Sequence, residues 1–190
     1  MPYLANAAQI LIEFVFGAII ALLLLRVLTE AWRADFHNPL SQFLYRATNP
    51  TLSALRPVLP TWRRINLAAL VLAWVAVLVK ITLLCATVGV APQISGLLLL
   101  ALAELVDFLL VLYVVLIFAW ALMSMLSVDY RNPLVPLISQ LVGPVMRPLR
   151  RRIPTLGGID FSPAVAILVL LLIRALVLQP LLDVGQRLLV

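Results

Sequence analysis

The chain is expected to fold as an all-α membrane protein with four transmembrane helices, and three observations carry that expectation. First, 64% of its 190 residues are hydrophobic and only 12% charged, with a mean hydropathy of +1.14. Ordinary soluble domains are roughly 45–50% apolar and about 25% charged, so the surplus here has to face lipid. Second, four apolar runs of spanning length alternate with polar stretches. Third, Asp35-Phe36-His37-Asn38-Pro39-Leu40 returns as Asp129-Tyr130-Arg131-Asn132-Pro133-Leu134, an offset of 129 − 35 = 94 residues.

The same offset pairs Phe14 with Phe108, Pro50 with Pro144, Arg56 with Arg150, Pro60 with Pro154 and Ile65 with Ile159. Conservative pairs keep the register: Glu13 with Asp107, Asn66 with Asp160, Lys80 with Arg174. A period this long marks a duplicated domain rather than a solenoid unit. The expected units are residues 1–94 and 95–190, each a hairpin of two spans.

Taken in order, Phe14 to Trp32 supplies about 20 residues, enough for a bilayer core. Asn38-Pro39 reads as a helix start, because Asn caps free N–H groups and Pro fits the first helical position. Leu40, Phe43, Leu44 and Ala47 follow at helical spacing, which predicts an amphipathic helix lying in the interface. A separate short element is expected from Pro50 to Pro60, where prolines punctuate any helix. Asn66 caps a second span, Leu67 to Ala91. The third runs from Phe108 to Leu126, preceded by Leu97 to Ala103 and the acids Glu104 and Asp107. Asn132-Pro133 starts a second interfacial helix bearing Leu134, Leu137, Ile138, Leu141 and Val142. Gly157-Gly158 is read as a flexible bend, and Ser162-Pro163 opens the last span, Ala164 to Leu178.

Ten of the fourteen basic residues lie in two windows, Arg33 to Arg64 and Arg131 to Arg152. That distribution follows the positive-inside rule and places both connectors in the cytoplasm, with both termini outside it. An even number of spans per unit makes the repeats parallel rather than inverted. No separate basic domain exists to grip phosphates, so nucleic acid is not an expected partner. The one cysteine, Cys85, excludes a disulfide framework, and the N-terminus lacks the charged start of a signal peptide.

Asp-aromatic-x-Asn-Pro, then Pro-x-x-x-x-Leu-Arg, then Arg-x-Ile-Pro-x-x-Gly-Gly-Ile-Asp-Phe-Ser-Pro together resemble the YggT family of bacterial inner-membrane proteins, whose plastid and cyanobacterial relatives are called YlmG. The residues concerned are Asp129, Tyr130, Asn132, Pro133, Pro144, Leu149, Arg150, Arg152 to Pro154 and Gly157 to Pro163. The resemblance covers nearly the whole chain as two units, the second the closer match. The first unit departs from it, with Arg63-Arg64 for Gly157-Gly158, Asn66 for Asp160 and Ala68-Ala69 for Ser162-Pro163. The resemblance implies an integral inner-membrane protein without catalytic residues. It also implies associations with cation uptake, osmotic tolerance and ion homeostasis for bacterial members, and with cytochrome maturation and membrane organisation for plastid ones.

Ionisable residues inside spans are functional candidates, because each costs several kcal/mol unless paired or hydrated. Glu13 lies about 30 Å of helix from Arg33, and Lys80 about 24 Å from Arg64, at roughly 1.5 Å per residue. Glu13–Lys80 and Asp107–Arg174 are therefore expected to clamp each hairpin near its outer end, unless each head only reaches the headgroups. Arg26 and Glu30 stand four apart on one face; a local interfacial pair is expected there in preference to a polar path. Arg56, Arg63, Arg64, Arg147, Arg150, Arg151 and Arg152 form a basic cluster for anionic lipid headgroups or an acidic partner.

Asp35, Asn38 and Pro39, like Asp129, Asn132 and Pro133, are read as a helix-entry device rather than as catalytic groups. His37 is expected to be a basic interface residue and Cys85 small core packing. No phosphate loop, metal motif or nucleophilic triad is present, so no enzyme and no cofactor are expected. Two readings follow. One is a scaffold or assembly factor acting through the basic connectors on lipid, a membrane-protein partner or a second copy. The other is a subunit of a cation-transport or osmotic-stress system.

Overall fold

The computed structural model describes residues 2–55, 57, 59, 61–126, 128–129, 131–153 and 160–189. Arg56, Pro60, Tyr130, Pro154, Gly157, Gly158 and Ile159, all named above, lie outside them. The elements are α1 (Pro2–Ala31), α2 (Pro39–Leu55), β1 (Thr61–Trp62), β2 (Ile65–Asn66), α3 (Leu67–Thr87), α4 (Ile94–Met125), α5 (Leu134–Arg150), α6 (Ser162–Ile173), a π-helical turn (Arg174–Leu178) and α7 (Gln179–Leu189). Among the described residues, four helical stretches are long and apolar enough to cross a membrane: Tyr3–Ala31, Leu67–Thr87, Ile94–Met125 and Ser162–Leu189. Side chains such as Phe14, Val115, Leu168 and Leu176 stand exposed around them, as lipid-facing residues do.

Several boundaries differ from the sequence reading, the second span ending at Thr87 and the last stretch running on to Leu189 among them. Helix α1 begins at Pro2 and not near Phe14, and α4 runs unbroken through Glu104 and Asp107, whose charges are neutralised across helices (below). Helix α2 continues through Pro50 to Leu55, and α5 through Pro144 and Pro148. Each ring removes one N–H and frees a carbonyl four residues back. For Pro50 that carbonyl belongs to exposed Arg46, where water can meet it. The connector also forms an unforeseen two-residue ladder, Thr61 opposite Asn66 and Trp62 opposite Ile65, turning at Arg63 with φ +57.

Helix ends follow backbone hydrogen-bond logic. At the end of α1 the Ala34 N–H reaches the Thr29 carbonyl at 2.8 Å and the Arg33 N–H reaches Glu30 at 3.2 Å. The end of α3 repeats this, Val90 to Cys85 at 3.0 Å and Gly89 to Ala86 at 3.2 Å. Both are Schellman endings, with Arg33 (φ +53) and Gly89 (φ +71) in the left-handed position that glycine fills best. The span starts match too. The Asn66 Oδ1 accepts from the Ala69 N–H at 3.0 Å, and the Asp160 Oδ1 accepts from Ser162 at 2.9 Å.

Helix α4 is the axis of the bundle, touching α1, α3, α5, α6 and α7. One core gathers Ile20 and Leu24 of α1, Ala69, Ala73, Val77 and Ile81 of α3, and Leu100, Ala101 and Leu105 of α4. The alanines matter because lipid supplies no hydrophobic drive between helices, so close backbone approach and dispersion have to hold them. A second core joins Leu28 to Tyr113 and Ile117 of α4, Leu137 and Leu141 of α5, and Ala166 of α6. Where α4 crosses α7, a Cβ on Gly96 would overlap the Leu188 backbone.

The π-helical turn at Arg174–Leu178 has a local cause. Pro180 carries no N–H, so the Leu176 carbonyl loses its helical partner and the ring crowds it. The chain widens by one residue per turn, and the Gln179 N–H reaches back to Arg174.

Candidate functional site

Among the described residues, polar side chains gather in three places: a charged layer within the spans, the junction of the two Asp-x-x-Asn-Pro motifs, and a groove beside Arg150. In the layer, Arg174 grips Asp107 with two bonds, Nε to Oδ1 at 2.6 Å and a terminal nitrogen to Oδ2 at 3.1 Å. A bidentate guanidinium–carboxylate pair is among the stronger polar contacts available. Lys80, however, does not meet Glu13. Its Nζ lies 2.5 Å from Glu104 Oε2 on α4. The expected Glu13–Lys80 clamp is thus corrected: the face of α3 bearing Lys80 packs against α4, whereas Glu13 is exposed on α1. Glu104 and Asp107 are one turn apart on α4, so one helix supplies the acid for both cations.

At the motif junction, each Asn caps its own helix. Asn38 Oδ1 accepts from the Leu40 N–H at 2.9 Å and Asn132 Oδ1 from Leu134 at 3.0 Å. Each Asp accepts from the residue two on, Asp35 from the His37 N–H and Asp129 from the Arg131 N–H, both at 2.9 Å. These bonds to His37 hold the exposed Asp35 carboxyl below the usual carboxylate range. The motifs also touch each other: the Asn38 amide donates to the Pro133 carbonyl at 2.7 Å, and the Asp35 N–H to Gln140 Oε1 at 2.8 Å. Asn38 is buried for that reason, while Asn132 is exposed.

Arg26 departs from the hydrated interfacial pair expected of it. It is ion-paired with Glu30, but it is only 4% exposed and lies 4.1 Å over the Tyr45 ring. Position 26 plus 94 is Trp120, and there the arrangement differs: Arg150 stacks on Trp120 at 4.2 Å and pairs with Asp160 at 2.7 Å. Burial works to raise the Asp160 carboxyl, but the Ser162 N–H and the Arg150 guanidinium outweigh it and hold the group low.

Trp120, Ser124 and Arg150 line two adjoining cavities of about 860 and 430 Å³. The larger is walled by apolar side chains including Phe118, Ile167, Leu168 and Leu171; the smaller includes Asp129 and Ser139. Of the remaining cluster, Arg63 stacks on Trp62 at 5.3 Å, and Arg64, Arg147, Arg151 and Arg152 are exposed. The sequence reading missed Glu104 as a partner, Tyr45 as the cover of Arg26, and Ser139. For Glu104 the available signal was its one-turn spacing from Asp107.

A four-span, all-α membrane protein with its polarity gathered at the connectors is the class these features define. The family model described as CCB3/YggT matches residues 5–86 and 99–181, and the chain belongs to that family. Similar relatives include "Uncharacterized protein YggT" of Escherichia coli K12, 35% identical over 97% of this chain and 96% of the relative. An uncharacterized protein of Pseudomonas aeruginosa is 37% identical over 92% of this chain and 90% of its own, and one of Vibrio alginolyticus is 35% identical over 83% and 85%. No solved structure matches.

Proposed function

We propose that this chain is a non-enzymatic protein of the bacterial inner membrane that serves as a scaffold or assembly factor, organising lipid and membrane-protein partners through its basic connectors. The observation that carries this reading is the pairing of the charges within the spans. Lys80–Glu104 and Arg174–Asp107 tie helices to one another, and Arg26–Glu30 is covered by Tyr45. Cations so engaged hold a bundle together, which leaves the exposed arginines of the connectors as the surface for recognition. Crosslinking the full chain in native membranes, followed by identification of captured partners, tests this. Capture that disappears when Arg147, Arg151 and Arg152 become Gln is the expected result, and capture indifferent to them overturns it.

The orientation belongs to the same proposal: connectors inside, both termini and the 88–93 turn outside, in two parallel hairpins. The antiparallel packing of α1 on α3, with Gln9 reaching Thr87 at 3.0 Å, is consistent with it. Single cysteines at Arg64, Gln93 and Arg151 in a Cys85→Ser background, labelled from outside, should mark only position 93.

A second reading, a subunit of a cation-transport or osmotic-stress system, is favoured by one feature: four charges on three helices, Lys80, Glu104, Asp107 and Arg174, form a layer inside apolar spans. Cation flux into liposomes that is lost on Glu104→Gln would select it. Flux absent at every imposed potential leaves the scaffold.

A further inference from the structure

Matching the repeats by their 94-residue sequence offset pairs a packed site in the first unit with a cavity in the second. The smaller cavity is lined by Trp120, Met123, Ser124, Asp129, Ser139 and Arg150 among others. Four of the first-unit counterparts are Arg26, Thr29, Glu30 and Tyr45. There the Arg26 guanidinium, its Glu30 partner and the Tyr45 ring occupy the space, and Arg26 is buried. In the second unit Glu30 and Tyr45 have become Ser124 and Ser139, and Arg26 has become Trp120. Those side chains line a cavity that shares Trp120, Ser124 and Arg150 with the larger apolar cavity between α4 and α6.

We propose that this groove is a binding site for one anionic phospholipid drawn from the surrounding bilayer, with its headgroup at Arg150, Ser124 and Ser139 and one acyl chain along Phe118, Ile167, Leu168 and Leu171. The proposal rests on the connector reading above and gives its lipid a specific seat. Three features fix the chemistry. The apolar part lies between two spans and is bordered by exposed Phe118 and Leu168, so its occupant enters from the hydrocarbon side. At the polar end Arg150 is the lining cation, beside Asp129 and Asp160, and the connector that carries it is basic as a whole, with Arg131, Arg147, Arg150, Arg151 and Arg152 against Asp129 and Asp160. Arg150 is oriented by Trp120 beneath it and by Asp160, which engages Nε and one terminal nitrogen and leaves other N–H donors for a phosphate. An apolar trench of about 860 Å³ joined to a polar end of about 430 Å³ has the lining of a small-molecule site, and each part falls within the roughly 300–1,000 Å³ such sites span.

Native mass spectrometry of the full chain with dioleoyl phosphatidylglycerol or dioleoyl phosphatidylcholine tests it. Wild type should retain one phosphatidylglycerol in preference to phosphatidylcholine. Ser139→Tyr, which copies the first unit into the headgroup end, and Ala164→Phe, which fills the apolar end, should each weaken that retention by roughly tenfold. Both variants should keep the wild-type melting temperature, since Ser139 has a tyrosine counterpart and Ala164 is exposed. Equal retention of the two lipids by wild type, or retention unchanged in both variants, overturns the groove. Retention lost in an Arg147→Gln/Arg151→Gln protein but kept in both filled variants also overturns it, while leaving the connector reading standing. A bound peptide in place of lipid, lost in the filled variants, would give the groove to a protein segment and overturn the lipid.

Discussion

Lys80 of α3 and Glu104 of α4 meet at 2.5 Å across the boundary between the two repeat units, so a charge in the first half is neutralised by an acid of the second. The two side chains are only 17% and 27% exposed. Their separation would leave a charge in a medium that hydrates it poorly.

Lys80→Gln and Glu104→Gln should therefore be non-additive. The double variant should melt close to either single one in detergent, with a coupling in the range of roughly 0.5–3 kcal/mol. Lys80→Gln with Glu13→Gln should be additive, because Glu13 lies exposed away from Lys80. Coupling between 13 and 80, and none between 80 and 104, would refute the observed pairing.

The glycines of the α4–α7 crossing give a graded expectation. Gly96→Ala should lower the melting temperature markedly, by the equivalent of about 1–3 kcal/mol, since its methyl overlaps the Leu188 backbone. Gly185→Ala should cost less, its methyl meeting Leu100 at 3.0 Å, and Gly17→Ala should be neutral or stabilising, with nothing within 4 Å. An inverted order would disprove the crossing.

Arg33 and Gly89 close the same helix ending, and only one of them suits it. Arg33→Gly should stabilise by roughly 1 kcal/mol by removing the left-handed penalty, and Gly89→Ala should destabilise by about as much. Thermal melts of the two variants in detergent settle the sign.

Asn38 and Asn132 share a cap but not a partner. Asn132→Ala should cost about 1 kcal/mol, the usual value of a cap. Asn38→Ala should cost more, because it also strips the half-buried bond to the Pro133 carbonyl that joins the two connectors. Equal losses would show that contact to be immaterial.

Acid should loosen the second connector through Asp160. Its carboxyl is held below the ordinary value of 3.8, so its contribution is present above that value and is lost as pH falls through the lowered one. Hydrogen exchange at the start of α6 should rise over that acid window, and Asp160→Asn should flatten the rise. A profile unchanged by the substitution would assign the acid response to another group.

The medium, the four spans, the duplicated motif and the caps at Asn38, Asn66 and Asn132 were legible in the chain itself. Each is a local property: hydropathy summed along a window, or a side chain that satisfies N–H groups two or three residues away. Residues 2–13 escaped because Asn6, Gln9 and Glu13 interrupt the apolar run, and Pro50 misled because a helix at a wet surface tolerates a freed carbonyl. The partner of Lys80, the burial of Arg26 under Tyr45, and the groove that is open in one unit and filled in the other were decided only by the tertiary structure. Those depend on how each helix is rotated about its axis and on α4 standing between the rest. A repeat offset relates positions along a chain; it does not say which faces the packing of small side chains will bring together.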